Sequence, residues 1–203
     1  YFICVFMPVS IAAALLEVLR RPVPKWLTWT GIVSAFCVAA YTGFLLGVVS
    51  AYPLWNNAIL PVLFVVSALS AGLAATSLVG LITDRERFEQ MWLIKKSHVI
   101  LSAIEMVVLA TMLIIVSSGS PEGAASVASL VSGQYAPMFW GGLVLLGLVA
   151  PFAIEGYPVF VTRKVETSTT STVVSVIGEG GVLVGGFMLR LLVILAALPV
   201  LYL

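Results

Sequence analysis

Five side chains that can carry or bind a proton lie inside apolar stretches of this sequence: His98, Glu105, Glu155, Glu179 and Arg190. An ionised group at membrane depth costs roughly 2.5–3.5 kcal/mol on insertion scales, so its presence there needs a reason. Proton transfer is one reason and a structural ion pair is the other. His98, Ser102 and Glu105 are spaced i, i+4, i+7 and share one helical face. Thr30, Ser34, Cys37 and Tyr41 follow the same rule on another helix. Glu179 and Arg190 stand eleven residues apart, which returns to nearly the same azimuth, but about 16 Å further along the axis. Arg190 must therefore find its partner on another helix, with Glu105 or Glu155 as the candidates. The expectation is that these faces line one polar seam. His98 is the only histidine. Beside a basic turn its plain reading is an interfacial ring, and its sharper one is a site of proton uptake.

A second set of residues suits binding rather than proton transfer. Two apolar runs meet at a short uncharged turn, with Tyr41 and Gly43 on the approach and Tyr52, Pro53, Trp55, Asn56 and Asn57 at the tip. Aromatic rings and amides on an apolar hairpin suit a flat, partly polar guest arriving from a membrane. A tyrosine hydroxyl both donates and accepts a hydrogen bond. No pair of histidines, cluster of cysteines or nucleophile motif accompanies them, which leaves the hard chemistry to a guest molecule.

The elements that hold these residues follow from composition. Hydrophobic residues make up 61% of the 203, and charged residues 9%, against about 25% in a soluble domain. Lipid must be the solvent. A spanning helix needs about 20 apolar residues, and six runs meet or approach that length: about 1–19, 26–50, 58–82, 92–117, 137–162 and 173–202. The expected architecture is an all-α polytopic transmembrane bundle of six helices forming a single domain over 1–203. The first run is short and opens on Tyr1 in mid-run, as a chain lacking upstream sequence would. Cys4 and Cys37 lie in apolar runs and read as buried small hydrophobes. No basic cluster with interleaved aromatics points to nucleic acid.

The connections alternate in charge. Those holding Arg20, Arg21 and Lys25, then Asp84 to Glu89, then Arg163, Lys164 and Glu166 are rich in charge; those at 51–57 and 118–136 hold only Glu122. The enrichment of cytoplasmic loops in Lys and Arg places turns 20–25, 83–91 and 163–171 in the cytoplasm, and the loops at 51–57 and 118–136 and the C-terminus outside. Glu105 then lies about 13 Å beyond Lys96, and Glu155 about 12 Å from Arg163. With Glu179 near the cytoplasmic start of its helix, all three acids fall in the inner half. The stretch 118–136 reads as an extended loop or a short surface helix around Ala124–Val131. Trp26, Trp29, Trp55, Trp92 and Trp140 sit near run ends as an aromatic belt. Gly181 and Gly185 form a small-xxx-small pair for close helix approach. Pro151, one turn before Glu155, fits either a plain kink or a hydrated break in the helix.

Three segments, YTGFLLG, then PLWNNAILPVLFVVSALSAGLA, then GGVLVGGFMLR, resemble the NrfD-type family of polysulfide reductase membrane subunits. The resemblance implies a haem-free integral membrane subunit, commonly of eight or more helices. Such a subunit binds a quinone, menaquinone or ubiquinone, near the outer face. It exchanges electrons with a docked multi-cluster iron–sulfur subunit, and through it with a molybdopterin or multihaem cytochrome subunit. It implies no haem or metal in this chain and a location in the inner (cytoplasmic) membrane. Carried onto this sequence, the quinone-contacting tyrosine falls on Tyr41, with Gly43 in the same segment and Trp55, Asn56 and Asn57 at the mouth. Proton uptake falls to His98, Glu105, Glu155, Glu179 and Arg190. Polar groups of the family's first helix have no counterpart here. The chain is then the quinone-reactive subunit of an oxidoreductase complex rather than an enzyme alone. A proton-coupled transporter or channel without redox chemistry would use the same carboxylates, and a purely structural anchor would leave three inner-half glutamates to ion pairing.

Overall fold

A computed structural model describes residues 2–83, 92–157 and 169–197. These residues are helical with no strands among them: α1 (Phe2–Val18), α2 (Lys25–Gly47), α3 (Ile59–Thr83), α4 (Trp92–Gly119), α5 (Pro121–Val131), α6 (Met138–Val149), α7 (Ala150–Tyr157) and α8 (Thr169–Leu195). Five segments are long and apolar enough to cross a membrane: Lys25–Gly47, Ile59–Leu81, Lys96–Gly119, Met138–Gly156 and Val173–Leu195. The polytopic helical membrane bundle expected from composition is thus the fold. The first run differs: α1 has 17 residues, and it falls below that length. The charged residues at 84–91 and 158–168, and 198–203, lie outside the described residues.

Helices α3, α4, α6–α7 and α8 form a four-helix bundle. α3 packs on α4 and α8, while α7 packs on α4 and α8 and α6 lies along α8, so α4 and α8 stand on a diagonal. α2 packs on α3, and α1 packs on α2 with none of its residues buried. Antiparallel neighbours follow from short connections. We call the end carrying Arg20, Arg21 and Lys25 the basic end, and the end carrying residues 48–58 the loop end.

Local chemistry sets the boundaries. α1 stops in a Schellman motif, with Arg21 N–H donating to the Leu16 carbonyl and Arg20 N–H to the Glu17 carbonyl, both at 2.9 Å. Arg20 occupies the left-handed position with φ 53°, a place that usually falls to glycine. Pro22 and Pro24 then prevent continuation until α2. Ahead of α3, the Asn57 side chain accepts from Ile59 N–H at 2.9 Å. α5 starts with Ser120 accepting from Gly123 N–H at 3.0 Å, followed by Pro121 and Glu122 in the first turn. These are the preferred residues for a helix start. The short surface helix expected near Ala124–Val131 is therefore present and begins three residues earlier.

Glycines set the closest approaches. A Cβ on Gly147 would lie 2.5 Å from the Gly185 Cα, and one on Gly181 would lie 2.5 Å from the Leu146 carbonyl oxygen. α6 and α8 thus touch backbone to backbone, as the Gly181/Gly185 pair predicts. α6 is wound as a π-helix over Met138–Val149 and returns to α-helix at Ala150. The change falls just before Pro151, which has no N–H to give, so the break expected at Pro151 takes the form of a winding change.

The loop end is filled by a dry core. Leu60, Leu63 and Phe64 of α3, Leu109, Met112 and Val116 of α4, Phe139 and Leu143 of α6, and Leu189, Leu192 and Val193 of α8 form one buried cluster, closed by Leu54 and Leu130. Trp26, Trp29 and Trp140 are exposed near helix ends, as an aromatic belt requires. Cys4 is exposed and Cys37 half-buried, both free. The reading of both as buried is corrected: α1 packs only on α2 and leaves Cys4 on its outer side.

Candidate functional site

Buried polarity is concentrated on the basic side of that core. α4 contributes His98, Ser102 and Glu105, all at most 3% exposed, on the single face that their spacing predicts. His98 Nε2 lies 3.5 Å from Glu179 Oε2 of α8 and 3.3 Å from Ser77 Oγ of α3. The plain reading of His98 as an interfacial ring is overturned. Helix α4 directs it to the bundle centre, where a carboxylate and a hydroxyl meet it. An imidazole so placed can take a proton on one nitrogen and release one from the other. Glu155 is buried in α7, the element packed between α4 and α8.

About two turns further from the basic end, a second rung crosses the same diagonal. Arg190 of α8 faces Glu105 of α4. Of the two candidates for its partner, the structure selects Glu105. The guanidinium is held from two other directions. Nη1 donates to the Gly186 carbonyl at 2.7 Å, and the group lies over the Phe64 ring at 5.6 Å from its centroid. Such a cation–π contact strengthens when water is excluded. Ser67 and Ser70 of α3 are directed at Glu105, without closing a hydrogen bond. The point just off Gly186 is 3.5 Å from Arg190 Nη1 and 3.6 Å from Ser67 Oγ, so the hydroxyl and the guanidinium share one small volume.

The two rungs are joined by Ser102, one turn from each on α4. Towards the loop end the seam stops. The next buried side chains of α3, α4 and α8 are Phe64, Leu63, Leu109, Met112 and Leu192, none able to carry a proton. The arrangement is a buried polar column that begins near the basic end and ends at mid-bundle.

The residues expected to bind a guest are spread along α2 and the loop after it. Tyr41 is 49% exposed and lies beside a groove of about 90 Å³ lined with Phe2, Ile3 and Val38. Gly43 is buried where α2 meets α3, and a Cβ there would lie 2.5 Å from the Pro61 Cα. Trp55 stacks on Tyr52 with ring centroids 4.3 Å apart and donates from Nε1 to the Val193 carbonyl at 2.8 Å. It thereby ties the loop to α8. Asn57 is engaged by Ile59 N–H, and Asn56 is exposed. Tyr41 opens toward α1 and Trp55 toward α8, so the described residues do not gather into one enclosed pocket.

One expectation fails in part. The Thr30, Ser34, Cys37 face of α2 does not join the seam; it lines a groove of about 460 Å³ against α1. Its hydroxyls are satisfied within their own helix, Thr30 on the Trp26 carbonyl at 2.8 Å and Ser34 on the Thr30 carbonyl at 2.7 Å. Conversely, sequence reading missed the α3 side of the seam. Ser67, Ser70, Ala74 and Ser77 run i, i+3, i+7, i+10 and are all at most 2% exposed. That stripe is a helical signal, but small residues also mark plain helix contacts in membranes. No group of three or more residues able to hold a metal ion occurs among the described residues.

Comparison with known proteins places this geometry in a family. The profile of the family described as "Polysulphide reductase, NrfD" matches residues 3–201. The NrfD homolog of Haemophilus influenzae is 28% identical over 166 residues, 81% of this chain and 50% of that protein. Protein NrfD of Escherichia coli is 30% identical over 182 residues, 88% of this chain and 54% of that protein. The C subunit of polysulfide reductase from Wolinella succinogenes is 33% identical over 128 residues, 61% of this chain and 40% of that protein. The chain spans about half the length of the curated relatives it matches. No solved structure gives a significant match. With the family profile covering nearly its whole length, this helical membrane chain belongs to the NrfD, or polysulphide reductase, family.

Proposed function

We propose that this chain is the quinone-reactive part of a membrane subunit serving a respiratory oxidoreductase. In this reading quinone or quinol, of the menaquinone or ubiquinone type, is bound near the outer face. Electrons pass to or from a docked iron–sulfur subunit and through it a molybdopterin or multihaem cytochrome subunit. The chain sits in the cytoplasmic membrane with its basic turns inside. The observation that carries the reading is the pair of polar rungs, His98–Glu179 and Glu105–Arg190, in a bundle whose family is that of polysulfide reductase membrane subunits. Carboxylates are kept at such depth when they serve proton movement or pairing, and an imidazole beside one of them can do the first.

The residues at the loop end fit a quinone head in part. Tyr41 offers its hydroxyl at a half-exposed surface, and Asn56 offers an exposed amide. Trp55 and Asn57 have their polar atoms engaged by Val193 and Ile59 and would shape the site rather than donate to it. Gly43 would let α2 approach α3 beneath it. The groove beside Tyr41 is open on one side, which suits a guest arriving laterally from lipid. When bound, the quinone supplies the electron chemistry and takes up or releases protons with its electrons. Tyr41 would orient the ring by hydrogen bonding a carbonyl. His98 and Glu179, with Glu155 near them, would take protons from the basic end. Glu105 would hold a proton at mid-bundle, and Arg190 would balance the charge when it leaves.

The test is photoaffinity labelling of the intact complex with an azido-quinone, read by peptide mapping, alongside inhibition by quinone analogues. Labelling within α2 or residues 48–58, competed by quinone, is the expected result. Labelling confined to other segments would remove this site. A complex with no co-purifying redox subunit and no response to quinone analogues would favour the proton-coupled transporter.

A further inference from the structure

We propose that Ser67, Ser70 and Glu105 hold a water molecule at the closed end of the seam, beside Arg190. The first observation is where the α3 hydroxyls point. A serine or threonine inside a helix ordinarily bonds back to its own backbone. Thr76, Ser97, Thr111 and Ser118 do so here at 2.7–2.9 Å. Ser67 and Ser70 are 1% and 2% exposed and do not; both hydroxyls turn to the bundle interior without a hydrogen-bond partner. A buried hydroxyl left unbonded is costly, so two of them, three residues apart on one face, mark a place where something polar fits.

The second observation is the charge around that place. Glu105 approaches from α4 and Arg190 from α8, with Arg190 Nη1 and Ser67 Oγ both within about 3.6 Å of the same point off Gly186. A cation there would meet the guanidinium, and an anion would meet the carboxylate. A neutral donor–acceptor suits both. Water is small enough, and buried waters characteristically make about three hydrogen bonds to groups otherwise unsatisfied. Two hydroxyls and a carboxylate supply three. The apolar layer of Phe64, Leu63 and Met112 lies beyond, so this water communicates along the seam toward Ser102 and His98 rather than with the loop end. Its functional consequence rests on the proton-seam reading: the water would pass one proton to Glu105 while accepting another from the Ser102 side.

The experiment is redox-induced infrared difference spectroscopy of the intact complex, in ordinary water and in heavy-oxygen water. The expected result is a water O–H stretching band that shifts with the heavy isotope. It should vanish in the Ser67→Ala/Ser70→Ala double variant, while the Ser67→Thr and Ser70→Thr variants retain it. Turnover of the double variant should fall by about tenfold or more, the scale on which positioned proton transfer contributes. If the double variant fails to assemble, Ser70→Ala alone should shift the band by removing one of its hydrogen bonds. Absence of the band in the unsubstituted complex, or its persistence unshifted in the alanine variants, would overturn the site. A band lost with turnover unchanged would support the bound water and overturn its part in proton transfer.

Discussion

His98 of α4 and Glu179 of α8 reach each other across the centre of the bundle, Nε2 to Oε2 at 3.5 Å, although their helices stand on a diagonal. Ser77 of α3 approaches the same nitrogen at 3.3 Å. Three helices are thus joined by one imidazole. Leaving one partner of a buried polar pair unpaired costs about 1–3 kcal/mol. His98→Ala and Glu179→Ala should each lower the unfolding temperature of the purified complex. The double variant should lose less than the sum of the two, a coupling that a thermal double-mutant cycle reads directly. Additive losses would mean that the two residues act independently.

The α6–α8 contact makes a sharper demand on size. A Cβ on Gly185 would run into the Gly147 Cα, whereas nothing lies within 4 Å of one on Gly180. Overpacking of this kind typically costs about 1–3 kcal/mol. Gly185→Ala should reduce the yield of assembled protein in membranes, and Gly180→Ala should not. Equal yields, measured by blue-native electrophoresis, would contradict the backbone contact.

Trp55 anchors the loop that carries Asn56 and Asn57. Trp55→Phe keeps a ring against Tyr52 but removes the Nε1 bond to the Val193 carbonyl. The loss should be about 1 kcal/mol of local stability. We expect faster amide hydrogen exchange over residues 48–58 with little change in the seam. Unchanged exchange would show that the indole bond does not hold the loop.

Tyr41 carries the binding half of the proposal. Tyr41→Phe removes one hydroxyl at a half-exposed position and no packing. Quinone-linked electron transfer should fall severalfold, mainly through a raised KM for quinol, with assembly intact; the loss of one hydrogen bond is worth about a decade or less in affinity. A full-rate Phe variant would remove Tyr41 as a head-group ligand.

Much of this architecture is legible in the amino-acid order because lipid leaves few choices. Apolar runs near 20 residues and alternating charged connections mark the spans. The 3.6-residue period puts His98, Ser102 and Glu105 on one face, and the axial distance from Glu179 excludes it as the partner of Arg190. The failures have physical causes. Thr30 and Ser34 look like a polar face but satisfy themselves on their own carbonyls, so they need no polar neighbour and end up against α1. Ser67 and Ser70 look like packing residues and do not satisfy themselves. Nothing in the run Met138–Val149 announces π-winding, because that choice is made by the Gly147–Gly185 contact and Pro151 rather than by propensity. His98 looks interfacial from its distance to Lys95 and Lys96, yet its azimuth on α4 carries it inward.

The most direct measurement is proton-coupled turnover of the intact complex carrying Glu105→Gln, reconstituted in liposomes with a pH-sensitive dye. Glutamine keeps the shape and a hydrogen bond to the α3 serines but cannot release a proton. Turnover and the accompanying pH change should fall together by at least about a hundredfold, the lower bound for a positioned acid–base group, with assembly unchanged. Wild-type rates in that variant would contradict a proton path through Glu105.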